Sequence, residues 1–338
     1  MDVVQGRIVV LEPRRLAARL SAERVAAERG EEVGQGVGYQ VRFDAKVSAA
    51  TRVVFVTEGL FLRQVLTAPE LPGVGAVVLD EFHERHLHTD LALGVVRKLQ
   101  ATRRPDLKLL VMSATLDSAA LERYLPEARV FDVPGRAFPV RVEYRPMADG
   151  QAAEAGVKAS VTELLKDAAC PGHILVFLTG IQEIRRTGEA LAGLAREHGA
   201  EVLPLAADLP PREQARVFQA SSRRKIILAT NVAETSLTIP GVTGVVDSGK
   251  AKIAAHASWS GMPTLDVKRV SQASCVQRAG RAGRTAPGVA HRLYSESDFL
   301  GRPPFATPDI QRLDLAETTL EDRKSTRLNS SHIPLSRM

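Results

Sequence analysis

Short, unbroken apolar runs alternate with stretches of helical period along most of the chain. Ile8-Val9-Val10-Leu11, Val53 to Val56, Ala76 to Leu79 and Leu109 to Met112 are brief and rich in β-branched residues. Continuous apolarity, rather than alternation, predicts strands buried on both faces, as in a parallel sheet. Between them, Leu91, Val95 and Leu99 recur at four-residue steps and predict one helical face, capped at Thr89. The rhythm breaks at Val133-Pro134-Gly135-Arg136-Ala137-Phe138-Pro139, which marks a domain boundary. A second set of strands follows at Ile174 to Leu178, Val202 to Leu205, Ile226 to Leu228 and Val242 to Val246, with helices near 181–195 and 271–283. The pattern predicts an α/β protein of two tandem doubly wound domains, with parallel sheets flanked by helices and a ligand cleft between them. Residues just after each apolar run are then the ones to inspect for chemistry.

Composition narrows the function classes. Hydrophobic residues are 44% and charged residues 25% of 338, the balance of a chain able to bury a full core rather than of a disordered one. Aromatics at 4% argue against a stacking platform of many exposed rings. No apolar run reaches the roughly 20 residues of a membrane span, and the start lacks a signal-peptide pattern. Cys170 and Cys275 are the only thiols and stand in no C-x-x-C, which disfavours a disulfide framework or structural zinc and points to a reducing cytoplasm.

The net charge of +6 suggests nucleic acid, but the tail weakens that inference. From Asp322 the sequence DRKSTRLNSSHIPLSRM turns abruptly polar and resembles a translated sequencing adapter. Its four basic residues (Arg323, Lys324, Arg327, Arg337) against one acid (Asp322) account for three of the six charges, leaving +3. A natural disordered tail is the alternative.

Local chemistry is sharper. Val77-Val78-Leu79-Asp80-Glu81-Phe82-His83-Glu84-Arg85 brings two adjacent carboxylates to the end of a buried strand. One can hold magnesium while its neighbour takes a proton from water, as phosphoryl transfer requires. An acidic pair alone is more often a solvated turn; the following His83, Glu84 and Arg85 strengthen the functional reading. His83, His86 and His88 do not have zinc-like spacing. Arg278, Arg281 and Arg284, three apart, could form a basic helix face, although Gly280 and Gly283 suit that poorly because each glycine costs about 1 kcal/mol inside a helix.

Asp80-Glu81-Phe82-His83 resembles motif II of the DEAH-box helicases, in the DEFH form of the bacterial HrpB type. In family order, Leu11-Glu12-Pro13-Arg14-Arg15 resembles motif Ia, Thr57-Glu58-Gly59 motif Ib and Ser113-Ala114-Thr115 motif III. The segment from Ala229 to Ser236 resembles motif V, and that from Gln277 to Arg284 motif VI. The match covers about residues 1–320. It implies an ATP-dependent helicase, active on ATP or another nucleoside triphosphate with Mg²⁺, that moves along single-stranded nucleic acid, RNA by preference. Asp80 would hold Mg²⁺, Glu81 would activate water, and His83 would couple the nucleotide site to the second domain. Gln277 would position the water, and Arg281 and Arg284 would be arginine fingers.

Arg24 and Phe218 match the residues that sandwich the base, although each alone reads as a surface arginine or a core phenylalanine. Ser113 and Thr115 would link hydrolysis to domain movement beside the nucleotide. Arg14, Arg15, Arg42 (in the hook-like turn Gly38 to Phe43), Thr57, Thr230 and Asn231 would grip phosphates without reading bases.

The family's phosphate-cradling loop, G-x-x-x-x-G-K-[ST], does not occur in these 338 residues. Gly244 to Lys250 comes near but is followed by Ala251, and Gly34-Gln35-Gly36-Val37-Gly38 lacks a dinucleotide context. Both read as structural glycines. The expectation is therefore a piece of a longer helicase, cut at both ends and inactive alone. Its parts are a first RecA-like domain at 1–134, a second at 135–300, the start of a winged-helix domain at 301–321 and a foreign tail at 322–338. A helicase-shaped scaffold without catalysis and a DNA-directed helicase are the alternatives.

Overall fold

The computed structural model describes residues 4–114, 118–133, 135, 138–148, 150–234, 239–256 and 263–315. The chain divides into two compact units, one of Met1–Leu116, Ala254–Thr264 and Thr307–Met338, the other of Asp117–Ile253 and Leu265–Ala306.

In the first unit the elements run β1 (Arg7–Glu12), α1 (Arg15–Glu28), β2 (Val37–Val41), β3 (Asp44–Lys46), β4 (Val53–Thr57), α2 (Glu58–Thr67), β5 (Val74–Leu79), α3 (Leu87–Thr102) and β6 (Lys108–Val111). The sheet order is β3-β2-β4-β1-β5-β6, parallel apart from the β2–β3 hairpin. The apolar runs of β1, β4 and β5 are buried as their composition predicts. The run at Leu109–Met112, in and just after the edge strand β6, is not, with Leu110 50% and Met112 37% exposed. Leu11, Val77 and Leu79 are wholly enclosed, each such side chain contributing roughly 1.5–3 kcal/mol.

Helix α3 departs from the expectation. Its first residue is Leu87, so Thr89 lies inside it and donates its hydroxyl to Glu58 instead of capping. The buried face is Thr89, Ala92, Leu93, Val96 and Leu99, whereas Leu91 and Val95 are only half-buried.

The second unit contains α4 (Ser118–Tyr124), β7 (Val140–Tyr144), α5 (Ala153–Lys166), β8 (His173–Phe177), α6 (Ile181–Glu197), β9 (Glu201–Leu205), α7 (Pro211–Phe218), β10 (Lys225–Ala229) and β11 (Val242–Asp247). A separate ribbon is built from β12 (Lys250–His256) and β13 (Pro263–Arg269). Then come α8 (Gln272–Gly280), β14 (Gly288–Arg292) and α9 (Glu296–Leu300); α10 (Asp309–Arg312) belongs to the first unit. The sheet order is β7-β14-β11-β8-β10-β9, parallel throughout. Gly244 is interior to β11, where a Cβ would meet Cys170 Sγ at 2.6 Å. That stretch is therefore strand and not a phosphate loop. Gly38 is structural too, since a Cβ there would meet the Lys46 carbonyl at 2.2 Å.

Candidate nucleotide and nucleic-acid sites

In the first unit the candidate residues gather at the carboxyl ends of β1, β4 and β5. Leu11 pairs with Leu79 and Glu12 with Thr57, so these strands finish at one level. Asp80 continues β5 by donating its N–H to the Leu11 carbonyl (3.1 Å). Its own carboxylate accepts the Glu81 N–H (2.8 Å). Glu81 then adopts a left-handed backbone, φ 50 and ψ 36, and opens a 3-10 turn over Phe82–Glu84. A non-glycine residue in that region is strained by about 1–3 kcal/mol and persists only where its surroundings enforce it. Here the Phe82 N–H bonds the Met112 carbonyl (3.0 Å) and the Glu84 N–H bonds the Glu81 carbonyl (2.9 Å).

His83 sits between two of the motifs. Its Nδ1 accepts the Ala114 N–H (3.3 Å), which leaves the ring proton of the neutral form on Nε2. Nε2 lies 3.3 Å from Glu81 Oε2, in contact but without hydrogen-bond alignment. Motif II and motif III are thereby joined through one ring. Ser113 is half-buried beside it, and Thr115 lies outside the described residues.

Glu12, within the motif Ia segment, is almost fully buried. Ser21 bonds its Oε1 (3.0 Å), while Oε2 has no hydrogen-bond partner among the described residues. Burial, then the nearby Asp80, push its carboxyl up to about 8. Burial also raises Asp80, to about 6, with Glu81 and Glu84 adding to the effect. Among the described residues no three ligands form a ready metal cluster. These crowded acids repel one another at the strand ends.

The proposed phosphate contacts fall into different situations. Arg15 is exposed at the start of α1, whose first turn has no acid and no side-chain cap. Thr57 likewise precedes α2 with no side-chain cap. Uncapped N–H groups at a helix start attract anions. Arg14 instead forms a fork on Glu84, Nη1 to Oε1 and Nη2 to Oε2, both 2.6 Å. Burial alone would raise Glu84, but Arg14 and His86 hold it well below the usual carboxylate range. Arg42 lies at the β2–β3 turn, its guanidinium 4.8 Å over the ring of Phe43, which is 90% exposed with φ 68. Arg24 is exposed on α1 and paired with Glu28.

In the second unit, the arginines three apart serve different ends. Arg278 is buried, bonding Glu234 Oε2 (2.8 Å), Asp247 Oδ1 (2.9 Å) and the Lys250 carbonyl (3.2 Å). Arg281 is also buried, its Nε donating to the Glu234 carbonyl (2.8 Å). Arg284 is exposed and Gln277 half-exposed. Gly283 answers a packing need, because a Cβ there would meet the Phe138 carbonyl at 2.5 Å.

Thr230 follows β10, its N–H donating to the Leu205 carbonyl (3.1 Å), and Asn231 beside it is exposed. Thr235 and Ser236 of motif V lie outside the described residues. Phe218 is half-buried as the last residue of α7. The Lys225 ammonium holds that helix end through the carbonyls of Arg216 (3.1 Å), Val217 (3.0 Å) and Gln219.

No described helix is long and apolar enough to cross a membrane. The family profile described as helicase conserved C-terminal domain matches residues 157–286. The chain is 43% identical over 323 residues to the ATP-dependent RNA helicase HrpA of Escherichia coli, covering 94% of this chain and 24% of that protein. Identity to the ATP-dependent RNA helicase HrpB of the same organism is 42% over 322 residues, covering 94% and 39%. To the human ATP-dependent RNA helicase DHX33 it is 40% over 328 residues, covering 94% and 46%. The chain thus spans between a quarter and just under half of these relatives. The crystal structure of Escherichia coli DEAH/RHA helicase HrpB superposes with a TM-score of 0.87 at 41% identity, covering 95% of this chain and 41% of that one.

Proposed function

Because the chain belongs to the DEAH-box ATP-dependent helicases, we propose that it serves a nucleoside triphosphatase that drives movement along single-stranded RNA. The observation that carries this reading is Glu81. Its carboxylate is held at the end of β5 by an enforced left-handed backbone, with His83 bridging from it to the Ala114 amide.

Glu81 takes the proton from the attacking water, and Gln277 orients that water. Asp80 would hold Mg²⁺, which when bound supplies positive charge against the phosphates. His83 passes the state of Glu81 to the Ser113–Thr115 segment. Arg284, exposed, offers a planar guanidinium to the charge developing on the γ-phosphoryl oxygens. Arg281 can join it only by leaving the Glu234 carbonyl. Arg24 and Phe218 stack on the base and so discriminate little among nucleotides.

The RNA backbone is held by Arg15, Thr57, Arg42, Thr230 and Asn231 with the uncapped helix starts. Arg14 contributes less while its fork is on Glu84. Segments 1–134 and 135–300 serve as two RecA-like domains and 301–321 begins a winged helix, although the compact units divide at 116/117 and the first also takes in 254–264 and 307–338. A cytoplasmic setting belongs to the same proposal and rests on the unpaired thiols of Cys170 and Cys275.

No G-x-x-x-x-G-K-[ST] segment occurs in the 338 residues, so hydrolysis by this chain alone should be weak. The test supplies such a segment ahead of β1 and measures RNA-stimulated hydrolysis. Glu81→Gln should abolish turnover while RNA binding persists; unchanged turnover in that variant would sink the proposal. Matched RNA and DNA strands across a salt series separate an RNA helicase from a DNA-directed one. Binding without any hydrolysis would favour a scaffold.

A further inference from the structure

His86 belongs to none of the helicase motifs, yet its ring is held between two carboxylates. Nε2 lies 2.7 Å from Glu84 Oε2 and Nδ1 lies 3.4 Å from Asp309 Oδ2. A neutral imidazole has one N–H and would turn a lone pair toward one of those acids. Only the imidazolium satisfies both.

The acids on either side are themselves anchored. Glu84 receives the Arg14 fork, both bonds 2.6 Å, and its N–H returns to the Glu81 carbonyl at 2.9 Å. Asp309 Oδ2 accepts the Leu87 N–H (3.3 Å), and its own N–H donates to the Arg85 carbonyl (3.0 Å). Arg312 bonds Asp309 Oδ1 and the Ala254 carbonyl. A continuous path therefore runs from helix α10 through His86 and Glu84 to the backbone of Glu81.

We propose that His86 is a positioning residue whose imidazolium ties α10 to the Phe82–Glu84 turn, so that docking of α10 and the left-handed geometry of Glu81 are coupled. The consequence for hydrolysis rests on Glu81 being the water-activating base; the coupling does not. The acids facing the ring accord with a charged histidine. Glu84 comes from the turn, Asp309 from α10 and Glu58 from α2, while the cations Arg14 and Arg312 are each committed to one of the acids. Burial opposes the charge, but the bonds to Asp309 and Glu84 outweigh it and push His86 up to about 10. An ordinary surface pair would sit in water and couple nothing. Here the side chains of Glu84 and Asp309 are 9% and 13% exposed and the His86 ring between them 35%.

Coupling must be reciprocal. Hydrogen exchange on the whole chain without nucleotide tests it, comparing wild type, His86→Ala, Asp309→Asn and the remote surface variant Arg185→Ala. His86→Ala and Asp309→Asn should each speed exchange at least about threefold in both 82–87 and 309–313, as expected for residues in one network; Arg185→Ala should change neither segment. Nitrogen-15 NMR should show both His86 ring nitrogens protonated at pH 8. Faster exchange confined to α10 in Asp309→Asn overturns the proposal, as does a neutral His86 ring at that pH. Should His86→Ala fail to fold, Asp309→Asn and the ring resonance still decide. A wrong assignment of Glu81 would appear in hydrolysis assays and leave these exchange rates untouched.

Discussion

Two clusters of charge stand at strand ends, one in each unit, and they are balanced in opposite ways. In the first unit Glu12 and Asp80 crowd at the ends of β1 and β5, and burial pushes both carboxyls upward. In the second, Arg278 and Arg281 are enclosed with their own counter-groups, Glu234, Asp247 and a backbone carbonyl. The first arrangement retains repulsion that a cation can relieve. The second spends its charge internally and leaves Arg284 as the exposed member. Identical residue types three apart thus divide into scaffold and candidate chemistry according to burial, not spacing.

The largest expected effect comes from breaking the internally balanced cluster. Arg278→Met leaves Glu234 and Asp247 without their shared cation inside the second unit. Removing one partner of a buried pair costs about 3–5 kcal/mol, to be read from denaturant unfolding. A loss under about 1 kcal/mol would show that the cluster does not depend on its internal balance.

The acidic cluster should respond in the opposite sense. Glu12 has a folded pKa of about 8 against 4.5 in a free chain. Its protonated form is therefore favoured by folding. That stabilisation is complete below about pH 4.5 and is lost as pH rises through 8. Over this window wild-type stability should fall by up to about 1.4 kcal/mol per pH unit. Asp80, raised from 3.8 to about 6, titrates beside it, so the slope belongs to the pair. Glu12→Gln should remove most of the slope and stabilise the protein at pH 7 by about 1–3 kcal/mol. A variant as pH-dependent as wild type would mean that the acids are not in conflict.

Lys225→Met sharpens the comparison with a second internally balanced cation. Three carbonyls at the end of α7 lose their donor, and burial already lowers the Lys225 ammonium pKa. About 1–2 kcal/mol should be lost, with faster amide exchange around Phe218. Stability unchanged and Phe218 undisturbed would show that α7 holds its own end.

How much of this was legible beforehand follows from range. Buried strands announce themselves by local apolar runs, and β1, β4, β5, β8, β10 and β11 lie where those runs predict. The Asp80–Glu81 pair was visible for the same reason, as acids just after such a run. Glu12 obeys that rule equally, at the end of β1. Nothing local reveals that Arg278 meets Asp247, 31 residues away, or that His86 meets Asp309, 223 residues away. Nor does the four-residue step in α3 reveal that Leu93 and Val96, rather than Leu91 and Val95, face inward.

The smallest expected change in stability tests the exposed end of the comparison. Arg42 and Phe43 occupy a two-residue turn, with the guanidinium stacked on a ring that lies almost wholly in solvent. Neither is needed by the sheet beneath, whose register is set by Tyr39 against Lys46 and Val41 against Asp44. Arg42→Ala should therefore leave unfolding within about 0.5 kcal/mol of wild type. If this turn meets a nucleic-acid phosphate, the same variant should weaken RNA binding evenly across sequences. It should also reduce the salt dependence of binding by about one ion. A changed sequence preference with the salt slope intact would instead assign Arg42 to the bases, and unaltered binding would remove this turn from the interface.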